Sequence, residues 1–276
     1  MNATELNPEA YSGRNTNNLY TIVEAFNSCF KKIADNIHNK IKANSQPMSS
    51  TDNGEDYMAY MDNAFGSPFP KIQISKTTSV EIERIIKSLK SSYTYGYGEI
   101  SINILKACKT FISTPFSYLH NRVLFEGVIP DRLKYATIIP VFKKGDRKDL
   151  SNCRPISILT SFNKIFEKVM YRRLVQHFSD HNILSKYQYG FRAKLGTDNA
   201  IFNFITEILH SLNHKSMVGG IFCDLEKAFD CVSHEVLLNK LKFYGIIGIQ
   251  NNLYRSYLQD RFQGTAIMNG LDNNKV

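Results

Sequence analysis

The clearest signal along this chain is the spacing of its apolar residues. After a polar stretch over 1–17, Leu19, Ile22, Val23, Phe26, Phe30 and Ile33 recur at helical intervals, and the pattern predicts an amphipathic helix of roughly twenty residues. Residues 43–70, rich in Ser, Asn, Asp, Gly and Pro, read as a linker with a domain boundary near 70. Thr78 and Glu81 have capping-box spacing, and Val80, Ile82, Ile85, Ile86 and Leu89 form the stripe that the following helix is expected to bury. A second helix is predicted from Ile100 to Phe125, bent at Pro115 and closed by Gly127 and Pro130. The segment YATIIPVF, 135–142, is β-branched and aromatic and is bounded by KKGD, as a strand with its return turn would be.

Phe162, Ile165, Phe166, Val169 and Met170 place a helix over 161–180, and Ile201, Phe204, Ile205, Ile208 and Leu212 repeat the pattern behind the candidate caps Thr197 and Asp198. Both helices are expected to bury one face. Met217 to Leu225 reads as a buried strand, and Ser233 caps a helix through Val236, Leu237 and Leu241 that ends at Gly245. The closing RFQGTAIMNG, 261–270, resembles one arm of a hairpin without its partner, which leaves an exposed edge prone to aggregation.

Composition narrows the class. With 43% hydrophobic and 21% charged residues over 276, the chain can bury a core. Thirty-four Lys and Arg against 25 Asp and Glu leave a net charge of +9, which favours nucleic acid first and an anionic membrane surface second. A basic balance also serves solubility alone, so charge does not decide between these readings. The five cysteines, Cys29, Cys108, Cys153, Cys223 and Cys231, lack C-x-x-C spacing, which argues against a zinc site and a disulfide framework and for a reducing compartment. Neither a signal pattern nor an apolar run of about eighteen residues is visible, so an intracellular, soluble protein is expected.

Three segments could carry chemistry. In GGIFCDLEKAFDCVSHEVLLNKL, 219–241, an apolar strand ending in a carboxylate would hold Asp224 where a hard cation can reach it, with Phe229 covering the pocket. Capping of the next turn explains Asp224 equally well. In VFKKGDRKDLSNCRPISIL, 141–159, a strand pair could bring Lys143, Lys144 and Arg154 around one phosphate, although a solvated basic hairpin would have the same sequence. In QYGFRAKLGTDNA, 188–200, Tyr189 and Phe191 flank Gly190 and Arg192, a mixture suited to base stacking beside a backbone contact and equally to ordinary packing. His177 with His181, and His210 with His214, stand at i, i+4, but lack the glutamate of H-E-x-x-H; exposed helix histidines are the expectation there, over a metal-dependent hydrolase.

Taken together, the segments IIPVFKKGD, NCRPISIL, KIFEKVMYRRL, NILSKYQYGFRAKLGTD and FCDLEKAFDCVSH resemble, in order and spacing over roughly residues 75–270, the reverse transcriptases of LINE-type, jockey-like non-LTR retrotransposons. The resemblance implies an α+β fold: helix-rich fingers over a small antiparallel palm sheet, the thumb absent. It divides the chain into an N-terminal helix and linker (1–70), fingers (71–216) and an incomplete N-terminal part of the palm (217–276). By position it makes Asp224 the first catalytic, metal-binding aspartate, with the carbonyl of Leu225 as a further ligand for Mg²⁺ or Mn²⁺. Phe229 becomes the gate against the sugar 2′ position. Lys143 and Arg154 become the clamp on the incoming triphosphate, and Gln188, Gly190, Phe191 and Arg192 the contacts to template and nascent pair. Asp230 keeps a turn-supporting role. Gly98 stands where the family often has an acidic residue, which puts template handling there in question.

The implied activity is RNA-directed DNA synthesis by two-metal phosphoryl transfer, with an RNA template, a DNA primer and deoxynucleoside triphosphates as partners, no membrane, and a nuclear or cytoplasmic ribonucleoprotein setting. The family's Gly-Val-Pro-Gln-Gly-type loop and Ala-Asp-Asp hairpin would follow Val276, so a truncated, catalytically incompetent piece completed by a missing C-terminal half is expected. The alternative is a non-catalytic module that holds nucleic acid with its basic hairpin.

Overall fold

Helix α1 (Leu19–Lys31) forms on the spacing of Ile22, Phe26 and Phe30, and buries all three. A computed structural model describes residues 19–33, 35, 39, 56–93, 96, 100–146, 149–225 and 227–267. The polar stretch 1–17, residues 43–55 of the predicted linker and the loop around Gly98 lie outside these residues.

Part of the predicted linker is helical: α2 spans Asp56–Phe65. Asp62 and Asn63 are exposed, while Tyr57, Met61 and Phe65 repeat every fourth position on the inward side. Met61 is buried. Asn239 Nδ2 donates to Tyr57 Oη at 3.1 Å, and the Phe65 ring meets Phe69 edge-on at 5.3 Å. Composition signalled a linker because the apolar positions are few, but each of them is used.

In α3 (Ser79–Ser88) Thr78 Oγ1 accepts from Glu81 N–H at 3.2 Å, and Ile82, Ile85 and Ile86 are wholly buried. Val80, expected in that stripe, is 55% exposed. It lies one step off the buried arc. The stretch predicted as one helix bent at Pro115 is two, α4 (Ile102–Ala107) and α5 (Lys109–Glu126), and the break falls at Cys108, whose ψ of 2° leaves the helical basin. Pro115 sits inside α5, which ends on Gly127 at φ 70°.

Strands β1 (Tyr135–Phe142) and β2 (Cys153–Leu159) pair antiparallel, Ala136 opposite Leu159 and Phe142 opposite Cys153. Strand β3 (Phe262–Thr265) joins the other side of β1 in parallel, Tyr135 opposite Phe262, so the order is β2-β1-β3 and the sheet is mixed rather than antiparallel. The closing segment predicted to lack a partner therefore has one. A parallel pairing needs a long crossover, which the intervening helices provide and which sequence spacing does not reveal. Ile138 and Cys153 on one face of this sheet pack against Ile22, Phe26 and Phe30, and α1 covers that face.

Helix α6 (Ser161–Asp180), capped by Thr160, links two further cores. Ile165 and Val169 meet Ile82, Ile85 and Leu105, while Phe166 and Met170 meet Val123, Ile129 and Leu253. His177, expected exposed, is buried, and its Nε2 donates to Tyr244 O at 2.6 Å. Beyond it, α8 (His234–Phe243) starts on Ser233 as predicted, and α9 (Ile249–Leu258), which sequence reading did not anticipate, adds Leu253 to the core.

Two expectations fail together. Helix α7 (Thr197–Asn213) forms behind Gly196, but Ile201, Phe204, Ile205 and Leu212 are each about half exposed, between 48% and 55%, and the helix buries none of its residues. Residues 217–225 are not a strand, and Met217, Ile221 and Phe222 are exposed. Periodicity identifies an apolar stripe, not the element that covers it. A strand likewise forms only where a ladder offers it hydrogen bonds.

Candidate functional site

The β1–β2 hairpin positions the first pair of predicted residues. Val141 stands opposite Arg154, and the ladder continues one step past the strand end, where Lys143 N–H donates to Asn152 O at 3.0 Å. Alternation along the strand then puts Lys143 on the face of Val141 and Arg154, a diagonal neighbour of the arginine. Both cations are exposed on that face, beside Val141 and Ile156, away from the face α1 covers. At the hairpin tip, the hydroxyl and N–H of Ser151 hold the Asp149 carboxyl below its ordinary range.

The loop after α6 carries the second group. Gln188 Nε2 donates to Gly190 O at 3.4 Å, and Arg192 Nη1 donates to Ser185 O at 2.9 Å, which turns the guanidinium back onto its own loop. Phe191 takes the left-handed conformation, φ 61°, and leaves its ring 83% exposed. That ring meets Phe229 edge-on, centroids 6.0 Å apart and planes at 88°. Two residues picked independently from sequence, 38 positions apart, are thus in contact. Asn203 of α7 donates to Tyr189 Oη and ties the loop to that helix.

Asp224 is a correction. It does not close a strand; it sits in irregular chain with its carboxyl exposed, and Leu225 is 75% exposed. The turn beyond places Lys227 at φ 48°, with Asp230 N–H donating to Lys227 O at 2.9 Å. No group of three His, Cys, Asp or Glu side chains gathers among the described residues. A lone solvated carboxylate holds Mg²⁺ or Mn²⁺ weakly, so these residues as they stand do not fit a two-ion centre.

Phe229 also lines a cavity of about 770 Å³ bounded by Ala136, Ser157 and Leu159 of the sheet and by Tyr257, Arg261 and Phe262. Neither Asp224 nor Lys143 nor Arg154 belongs to its lining. Arg261 lies over the Tyr257 ring at 4.7 Å and donates to Tyr257 O at 3.0 Å. Burial, then the neighbouring Glu167 that accepts from its hydroxyl, pushes the Tyr257 phenol above its usual range and keeps it neutral. Sequence reading missed this pair; the i, i+4 spacing of Tyr257 and Arg261 was the one available sign, and it does not announce a cavity.

Residues 142–273 match the family described as reverse transcriptase (RNA-dependent DNA polymerase). The chain is 29% identical over 188 residues to the probable RNA-directed DNA polymerase from transposon BS of Drosophila melanogaster, covering 66% of this chain and 20% of that protein. It is 28% identical over 184 residues to the RNA-directed DNA polymerase from mobile element jockey of the same fly, with the same shares. It is 26% identical over 198 residues to the retrovirus-related Pol polyprotein from type-1 retrotransposable element R2 of Popillia japonica, covering 71% of this chain and 26% of that protein. The chain therefore spans a fifth to a quarter of the length of these relatives.

Proposed function

We propose that this chain, whose residues 142–273 match the family described as reverse transcriptase (RNA-dependent DNA polymerase), is the nucleotide- and template-holding part of an RNA-directed DNA polymerase of the non-LTR retrotransposon kind. The observation that carries the reading is the hairpin: the Val141–Arg154 register and the Lys143–Asn152 bond put two exposed cations, in no ion pair among the described residues, on one face. Two such donors, one a planar fork and one a point charge, suit a triphosphate. Phe191 and Phe229, in edge contact, form the aromatic side of the same reading, with Phe229 against the sugar and Gln188, Gly190, Phe191 and Arg192 toward template and nascent pair. By sequence position Asp224 and the Leu225 carbonyl correspond to the family's place for a divalent cation, which would neutralise charge at the phosphates; exposed and without further carboxylates gathered among the described residues, they do not make that site by themselves. The partners are an RNA template, a DNA primer and deoxynucleoside triphosphates, in a nuclear or cytoplasmic ribonucleoprotein. Among the described residues no helix is long and apolar enough to cross a membrane.

With Asp224 alone and exposed, the 276 residues by themselves extend no primer. Primer extension with Mg²⁺ or Mn²⁺, parent against Asp224→Ala, tests this: synthesis that disappears in the variant overturns it. Equilibrium binding of a deoxynucleoside triphosphate tests the clamp, with Lys143→Ala/Arg154→Ala expected to weaken it at least about tenfold. Equal binding by parent and variant removes the clamp assignment. The second reading, a nucleic-acid-binding module without catalysis, is favoured by the exposure of Asp224, and is selected by salt-sensitive RNA binding in the absence of nucleotide binding.

A further inference from the structure

Behind the 188–192 loop, on the far half of α6, the chain has a groove of about 610 Å³ that none of the residues above uses except through its end at Ala193. One wall is the extended segment 71–75; the other is the outward side of α6 from Tyr171 to His181. Two of its cations, Lys71 and Arg172, are exposed and enter no ion pair among the described residues, unlike Arg173, which is held by Glu81. Tyr171, 51% exposed, stands beside Arg172 with its ring toward solvent. The anionic side chain of the groove, Asp180, accepts from Gln176 Nε2 at 2.6 Å at the far end of the helix. One turn before Arg172 on the same stripe, Lys168 donates to Ser88 Oγ at 3.1 Å, so positive charge continues beyond the groove in steps of about 6 Å.

An apolar ligand would leave the exposed Lys71 and Arg172 without counter-charge, and the two cations stand on opposite walls of the groove, which suits a ligand carrying more than one phosphate. A flexible polyanion with flat bases fits both features: phosphates against Lys71 and Arg172, a base on Tyr171. We propose that this groove binds single-stranded nucleic acid, as a path for the strand outside the nucleotide site. The proposal extends the polymerase reading, since the groove ends beside the loop assigned to template, and it is tested apart from it.

The experiment uses the full chain and a fluorescein-labelled 15-nucleotide uridine RNA, with a thymidine DNA of equal length as second arm, followed by anisotropy across a salt series. Lys71→Ala/Arg172→Ala is expected to bind about tenfold more weakly and to lower the slope of log K against log salt by about 1.4, the share of two phosphate contacts. Tyr171→Ala is expected to weaken binding at least about fivefold with an unchanged slope. Weakening with RNA alone or with both probes supports the groove and says which strand it takes. All three residues are exposed, so unchanged unfolding midpoints accompany these losses. Ultraviolet cross-linking of the RNA places adducts on the Tyr171 peptide.

If both groove variants bind like the parent while Lys143→Ala/Arg154→Ala weakens binding, the groove is not a nucleic-acid path and the polymerase reading stands. If the groove variants weaken and the hairpin variant does not, the groove stands, and the clamp is judged separately by deoxynucleoside triphosphate binding. Parent protein that ignores both probes, or that binds phosphatidylserine vesicles and neither probe, overturns the proposal.

Discussion

Arg173 of α6 forks onto Glu81 of α3, Nη1 to Oε1 at 2.9 Å and Nη2 to Oε2 at 2.7 Å, joining residues 92 apart in the chain. Both side chains are less than a fifth exposed, so the pair is desolvated more than a surface ion pair. Sequence spacing assigned Glu81 to a reciprocal cap on Thr78; its N–H does take the cap, and its carboxylate goes to Arg173 instead. Either Glu81→Gln or Arg173→Met is expected to cost about 2 kcal/mol in urea unfolding, and the double variant distinctly less than the sum. Additive losses would show that the fork is not coupled.

His120 is buried, and burial pushes its imidazole down to about 4, partly offset by the backbone at Phe166. The ring is therefore neutral when folded, with Thr77 Oγ1 3.1 Å from Nδ1. Between about pH 4 and 6.5 the unfolded chain binds the proton and the folded chain does not, so stability rises with pH across that window and falls as pH drops through it. His120 contributes about 3 kcal/mol to the fall, as an order of magnitude. Unfolding midpoints of parent and His120→Gln, measured at pH 7.5 and 4.5, are expected to show a flatter response in the variant; parallel responses would assign the acid sensitivity elsewhere.

Gly245 adopts φ +85°, and a Cβ there would lie 1.9 Å from Pro70 O. The contact is enforced by Phe69 N–H to Phe243 O at 2.8 Å and Ile72 N–H to Gly245 O at 2.9 Å, which hold the segment at 69–72 against the end of α8. Gly245→Ala is expected to cost at least about 3 kcal/mol, combining left-handed strain with displacement of backbone. A loss below about 1 kcal/mol in thermal unfolding would mean the segment yields freely.

Ile165 and Ile205 both stand in apolar stripes of helical spacing, yet one is wholly buried and the other 48% exposed. Ile165→Ala is expected to cost about 3 kcal/mol and Ile205→Ala under about 0.5 kcal/mol. Similar losses would show that α7 is covered in solution. The exposed face of α7 also predicts binding of a hydrophobic dye, reduced by Phe204→Asp.

Where local chemistry suffices, the sequence by itself determined the outcome. Thr78 and Ser233 cap the helices they were expected to cap, Gly127 and Gly245 end theirs, and 135–142 is a strand, because a cap or a left-handed residue acts within one turn of chain. The order of the five segments, 141–159 and 188–200 among them, was likewise readable without coordinates, and the family match over 142–273 agrees with it. Tertiary structure alone decided which stripes are covered, that β3 joins β1 in parallel, that His177 turns inward to Tyr244 O, and that Phe191 reaches Phe229. Each of these depends on a partner tens to more than a hundred residues away. A periodic pattern states that a residue can be buried or paired; the free energy is gained only where the fold brings up the second surface, and at Asp224 the described chain brings up none.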